Sequence, residues 1–283
     1  MIGSSTRTDE ALDRLSRGIA QLTSSDTWHA WLSMQARFHH YSFSNTVLLL
    51  AQDPAATRVA GFHTWRRLGR HVRRGQSALW ILAPITRRVA ADDVDDQPAD
   101  ARRVVTAFRP VPVFDVAQTE GNPLPEACTR LSGDDSLGVY AALVQFAGSI
   151  GFIVQDHAFD SETNDDCSHA LRRIRIETSL APAHRVKTLA HELARAILHA
   201  ERTEPGLMEL EAESVAFIAC DALGIDAGAW TFGYVASWVD GGDQAVTAIK
   251  MAGTRIQRTA DRILSTLDHV GDLLSEQVDA ADT

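Results

Sequence analysis

Two periods of apolar residues divide this chain into helices and strands. Over TDEALDRLSRGIAQL, residues 8–22, Leu12, Leu15, Ile19 and Leu22 fall on one helical stripe, and Asp9 and Glu10 suit its first turn. A second helix is expected near Ser25, carrying Trp28, Trp31, Leu32 and Phe38. A third spans roughly Ser42 to Ala51 and ends at Asp53-Pro54. HTWRRLG reads as a short helix closed by Gly69, RRGQ as a turn, and SALWILAPI as a strand. AADDVDDQPADA, residues 90–101, is acidic and aperiodic, hence a loop or disordered hairpin tip. RVVTAFRPVPVFDV returns as a strand, its two prolines marking an edge or an irregular stretch.

TEGNPLPEACTRLSGDDS, residues 119–136, is rich in Pro, Gly and polar residues, and the domain boundary is placed there. Beyond it LGVYAALVQFAGSIG reads as helix, GFIVQ and RRIRIET as strands, and the stretch from Pro182 through HELARAILH as helix, proline being tolerated in a first turn. MELEAESVAFIACDALG is a further helix ended by Gly224, and residues 243–268 form a closing helix with Ile249, Ile256, Ile263 and Leu264. The expected fold is α+β in two domains, 1–118 and 137–283, joined by a linker at 119–136, the second domain mostly helical.

The charge is divided unevenly. Net charge is −10, but residues 1–118 carry 15 Lys/Arg against 11 Asp/Glu, whereas residues 119–283 carry 12 against 26. From Arg37 to Arg88 there are nine arginines, no lysine and one acid, Asp53. Such asymmetry suggests two domains with different partners. No apolar run is long enough to span a bilayer, and the N-terminus lacks a basic-then-apolar signal, so a cytoplasmic protein with no membrane partner is expected. Cys128, Cys167 and Cys220 are odd in number and far apart, which points to neither a disulfide framework nor a cysteine metal site.

The stretch TLAHELARAILHA, residues 188–200, nearly spells HExxH. In that motif two histidines four apart grip one Zn²⁺ and the glutamate polarises the bound water. Here His191 and Glu192 are present, but Arg195 stands at the second histidine's position. A guanidinium has no lone pair for a metal and its charge repels one. His199 does not replace the missing ligand, because eight residues separate it from His191, about 12 Å along a helix. Glu209 and Glu213, four apart on the next helix, supply a candidate third ligand and a carboxylate to orient the set. Glu209 is taken as ligand and Glu213 as support, though the roles are interchangeable. Alternatively, Arg195 fills the vacant position and pairs with Glu209 or Glu213. The bland alternative is a core helix whose Leu189, Leu193, Ile197 and Leu198 pack inward.

Phosphate binding needs cations, and single-strand binding adds aromatic faces for base stacking. Arg66, Arg67, Arg70, Arg73 and Arg74 cluster within nine residues, with Trp65, Tyr41, Phe43, Phe62 and Trp80 nearby in sequence. Trp28, Trp31 and Trp80 are assigned to the core. The candidate DNA-contacting set is Tyr41, Asn45, Trp65, Arg66, Arg67, Arg70, Arg73 and Arg74.

The passage YSFSNTVLLLAQDPAATRVAGFHTWRRLGRHVRRGQSALWILAP, with VFDVAQTEG at 113–121, resembles the N-terminal single-stranded-DNA-binding domain of ArdC-type antirestriction proteins. Residues 182–224 resemble the zincin metallopeptidase domain found with it, related to ImmA/IrrE peptidases, and WTFGYVASWVDG at 230–241 is similar to a further segment. The resemblance implies an α+β domain binding single-stranded DNA, a zinc-peptidase-type second domain, and protection of incoming plasmid or phage DNA from restriction. It makes His191 a zinc ligand, Glu192 the general base and Glu209 the acidic third ligand. Tyr234 becomes a hydrogen-bond donor to an oxyanion. Arg195 departs from the pattern and counts against zinc binding and proteolysis. Two further functions compete. One is an active DNA-directed metalloendopeptidase acting on a DNA-bound or regulatory protein. The other is a regulator that cleaves transcriptional repressors.

Overall fold

The computed structural model describes residues 2–88, 103–124, 136–160, 164–201, 204–226, 228, 230, 232, 235 and 242–281, of which 2–5, 88, 103, 136–137, 242 and 268–281 are described as backbone alone. The acidic stretch 90–101, Cys128 and Tyr234 lie outside the described residues. The chain forms two compact units, one of residues 1–18 and 47–123, the other of residues 19–46 and 124–283. No described helix is long and apolar enough to cross a membrane.

The first unit takes most of α1 (Ile2–Ala20) and the C-terminal part of α3 (Phe43–Leu50). Ala11 and Leu15 of α1 are buried, as are Val47, Leu48 and Leu49 of α3. The two helices approach closely at Gly18, where a Cβ would stand 2.8 Å from Val47 Cγ1. Then come β1 (Val59–Ala60), α4 (Phe62–Arg67), β2 (Arg70–Val72), β3 (Leu79–Arg88), β4 (Arg103–Asp115), a 3₁₀ turn (Val116–Gln118) and β5 (Thr119–Gly121). One antiparallel sheet has the order β1-β4-β3 and another pairs β2 with β5.

Pro110 and Pro112 of β4 stand opposite Leu82 and Trp80 of β3. On its other side β4 is paired only at Phe114 and Asp115, so the prolines lie where no described strand needs their missing N–H. Asp115 organises this end of the unit. Its buried carboxylate accepts from the Thr57, Arg58 and Ala117 amides at 2.8, 3.0 and 2.8 Å. Gln52 ties α3 to β3 in the same manner, donating to Leu48 O and Trp80 O and accepting from the Trp80 amide. Thr119–Gly121, expected in the connecting segment, instead pairs with β2, so the first unit runs on to Pro123.

In the second unit, α2 (Ser25–Arg37) begins at a capping box between Ser24 and Thr27. Its Trp28 and Trp31 are fully buried and both indole N–H groups are satisfied, by Ser214 Oγ and Thr46 Oγ1, each at 3.0 Å. This face explains why residues 19–46 group with the C-terminal part of the chain. α5 (Ser136–Ser149) leads into a three-stranded sheet of β6 (Ile153–His157), β7 (Asp165–Ser168) and β8 (Arg173–Glu177), in the order β6-β8-β7. β6 runs parallel to β8, while β7 is antiparallel to it. DDCS has no apolar alternation, so β7 leaves no mark in the sequence pattern.

α6 (Pro182–Leu198) and α7 (Pro205–Leu223) follow, and α8 (Gly242–Ala281) closes the unit. Glu204 caps α7 by accepting from the Gly206 and Leu207 amides, and Gly224 ends it at φ +69°, a left-handed conformation that favours glycine. α8 buries Ala245, Ile249, Ala252, Ile256, Ala260, Ile263 and Leu267 at helical spacing.

Candidate metal centre and the arginine that fills it

Burial of one stripe of α6 sets the site. Val186, Leu189, Ala190, Leu193 and Ala194 are in the core. The same helix turn that buries Leu193 and Ala190 carries in Glu192, which is fully buried, and His191, which is 9% exposed. α7 packs beside it and supplies Glu213 and the more exposed Glu209. His191, Glu209 and Glu213 each offer a donor atom, all within 4.8 Å of one another, a group able to hold a divalent ion.

The hydrogen bonds fix the state of His191. Its Nδ1 lies 3.3 Å from Glu213 Oε2, and its Nε2 accepts from Arg195 Nε at 3.1 Å. An imidazole that accepts at Nε2 carries its proton on Nδ1, which it donates to Glu213. Burial works to lower the His191 pKa, but the Glu213 hydrogen bond and the charges of Glu209 and Glu192 outweigh it and leave it raised. Lys187 Nζ grips the other Glu213 oxygen at 3.0 Å. Burial would raise Glu213, but His191 and Lys187 together hold it below the usual carboxylate range.

Arg195 donates through Nη2 to Glu209 Oε2 at 2.5 Å. Its guanidinium therefore engages the lone pair of His191 and one oxygen of Glu209, the donors a metal would need. The donor types suit a divalent ion; the placement of Arg195 does not, because a cation already occupies them. Of the two arrangements open from sequence, Arg195 takes Glu209, while Glu213 orients the histidine.

Glu192 is the least compensated group of the site. Among the described residues no N–H or hydroxyl group donates to its carboxylate oxygens, its one hydrogen-bonding neighbour is the Asp165 carboxyl, and the nearest cation, Arg195 Nε, stands 3.6 Å away. Burial first, then the charge of Asp165 on β7, push its pKa up to about 8. Asp165 is itself raised, chiefly by burial. Sequence reasoning misses Asp165, because nothing near residue 165 shows that β7 brings a second acid to α6. His199 belongs elsewhere, buried against Glu211 at 3.0 Å, with Arg255 donating to the other Glu211 oxygen.

In the first unit, Arg66, Arg67, Arg73 and Arg74 are exposed. Two of the expected DNA contacts are engaged within the fold. Trp65 is 2% exposed, and its indole donates to Phe114 O at 2.9 Å, so it is a core residue with no open face for a base. Arg70 spends its guanidinium on Thr119 and on the carbonyls of Gly121 and Asn122. Tyr41 and Asn45 are half-buried and group with the second unit, whereas the arginines belong to the first.

Residues 5–114 match the family described as the N-terminal domain of anti-restriction factor ArdC. Two crystal structures of antirestriction protein ArdC from plasmid R388 share the fold. The Mn(II)-bound one has TM-score 0.54 at 19% identity, covering 89% of this chain and 97% of that one. The metal-free one has TM-score 0.50 at 20% identity, covering 79% and 84%. An uncharacterised protein of Bacillus anthracis is 22% identical over 285 residues, which are 83% of this chain and 47% of that protein, so the chain spans about half the length of this relative.

Proposed function

We propose that this chain, which matches the ArdC N-terminal family over residues 5–114, is an antirestriction factor that works by binding single-stranded DNA. In this reading its second unit is a zincin-type scaffold, related to ImmA/IrrE peptidases, whose peptidase site is impaired. The observation that carries the reading is the Arg195 guanidinium lying on both His191 Nε2 and Glu209. A resident metal would supply a Lewis acid and an activated water. Arg195 supplies charge without an open coordination position, so the carboxylates are neutralised and no water is activated. The DNA-binding activity then rests on the first unit, where Arg66, Arg67 and Arg74 are exposed, while the Arg73 guanidinium donates to Ala117 O.

A second reading, an active DNA-directed metalloendopeptidase acting on a DNA-bound protein, is favoured by one feature. Glu192 is a buried carboxyl with its pKa pushed up to about 8, poised to exchange a proton near neutral pH. This reading needs Arg195 to leave His191, and its side chain is 37% exposed.

The test is transformation of a restricting host with unmethylated DNA, in cells producing the wild type, Arg66→Gln/Arg67→Gln/Arg74→Gln or Glu192→Gln. The proposal expects protection to fall in the triple variant and persist in Glu192→Gln. Loss of protection in Glu192→Gln alone would transfer the function to the peptidase site.

A further inference from the structure

A second constellation of metal-ligating groups lies outside the α6–α7 site. His39 and His40, in the turn after α2, meet Asp261 on α8, and a donor atom from each of the three lies within 4.8 Å of the others. His40 Nδ1 is 2.9 Å from Asp261 Oδ1, and the two imidazole centroids are 4.0 Å apart. In a tetrahedral site with bonds of about 2.1 Å, donors stand roughly 3.4 Å from each other. The observed spacing brackets that value, and both elements belong to the same compact unit.

We propose that His39, His40 and Asp261 bind a divalent transition-metal ion of the zinc class. Two imidazoles and one carboxylate form a borderline donor set that favours Zn²⁺, Co²⁺ or Ni²⁺ over Mg²⁺ or Ca²⁺. Hydrogen bonds hold the elements that carry these groups. Gln257 Nε2 donates to His39 O at 3.3 Å and Gln35 Nε2 reaches the same carbonyl at 3.5 Å, which fixes the turn that carries both histidines. Ser265 Oγ donates to the Asp261 oxygen that faces His40, setting the carboxylate's orientation. Of the cations near Asp261 along α8, Arg258 is exposed and Arg262 has its guanidinium over the Phe146 ring at 5.7 Å. His40 is 64% exposed at its side chain, which leaves an entry path and room for a solvent ligand. The ion would clip residue 40 to residue 261 and fix the α2–α3 turn against α8.

The experiment is titration of the full chain with Zn²⁺ by calorimetry and with Co²⁺ by visible absorption, in the wild type, His40→Gln, Asp261→Asn and His191→Gln. His40 is exposed and Asp261 half-buried, and circular dichroism checks that each variant folds. We expect one ion per chain in the wild type. Affinity should fall at least about tenfold in His40→Gln and in Asp261→Asn, and should be unchanged in His191→Gln. No binding at millimolar Zn²⁺, or binding that survives both substitutions and fails in His191→Gln, would overturn the proposal. The last result would also place the metal at the α6–α7 site and refute the impaired-peptidase reading, whereas absence of binding altogether would leave that reading intact.

Discussion

Arg195 Nε donates to His191 Nε2 across 3.1 Å, four residues apart on one helix, at the spacing where two histidines would share a metal. The interaction consumes the lone pair a metal needs and fixes the histidine tautomer through Glu213 on the other nitrogen. A substitution of one residue thus converts a ligand pair into a donor–acceptor pair.

Replacing Arg195 by histidine should reverse this. The positive charge disappears, His191 Nε2 is released, and a second imidazole joins His191 and Glu209. Arg195→His is expected to hold one more Zn²⁺ per chain than the wild type, and to bind at this site at least about a hundredfold more tightly, or roughly 2.7 kcal/mol. Metal analysis of the dialysed proteins side by side measures it. Equal metal content would show that the guanidinium does not block the site.

The buried pair of acids makes stability depend on pH. Glu192 titrates at about 8 in the folded chain, against an ordinary value of 4.5, so the native state retains a proton that the unfolded chain releases. Raised carboxyl values mean stability is highest below about pH 4.5 for this group and declines as pH rises toward 8. Asp165, raised mainly by burial, acts in the same direction. Glu192→Gln keeps the shape and removes the titration. It should match the wild type below about pH 4 and exceed it by up to about 4–5 kcal/mol at about pH 8.5, read by denaturant unfolding at both values.

The arginines and Trp65 should separate DNA binding from folding. Arg66→Gln/Arg67→Gln/Arg74→Gln should leave thermal stability within about 0.5 kcal/mol. It should also flatten the slope of log affinity for single-stranded DNA against log salt, by up to ~0.7 for each phosphate that is no longer neutralised. Trp65→Ala should cost about 3–5 kcal/mol, because it removes a buried indole together with its hydrogen bond to Phe114 O. Fluorescence anisotropy across salt concentrations and a thermal melt give the two readouts. A Trp65→Ala protein that melts normally yet binds DNA poorly would restore this tryptophan as a base-stacking residue.

Gly253 tests the packing of α8. Glycine inside a helix normally costs up to about 1 kcal/mol relative to alanine, so Gly253→Ala should stabilise on propensity alone. Here a Cβ would stand 2.3 Å from the Phe43 ring, which is 1% exposed and held edge-on by Trp31. Overpacking of this kind costs about 1–3 kcal/mol, so the expected net effect is destabilisation. Adding Phe43→Leu should recover part of the stability, and a double-mutant cycle in urea detects the coupling.

Much of the frame is legible in the chain itself. The starts of α2 at Ser25 and α6 at Pro182, the end of α7 at Gly224 and the two long strands rest on caps, prolines and apolar period, which are local properties. The arginine cluster and the near-miss HELAR motif are visible for the same reason. Tertiary structure decided what local signals do not encode. It paired Thr119–Gly121 with β2, and it formed β7 from a polar run because β8 offered an edge to pair with. It buried Trp65 while leaving Arg66 and Arg67 exposed, since a short helix presents neighbouring residues to opposite sides. It brought Asp165 to Glu192, and His39 and His40 to Asp261, across separations that no spacing rule spans. The sequence by itself determined which donors and cations this chain possesses. Only the packing of α6 against α7 determined that Arg195 takes Glu209, because a long charged side chain settles on whichever carboxylate the neighbouring helix places within its reach.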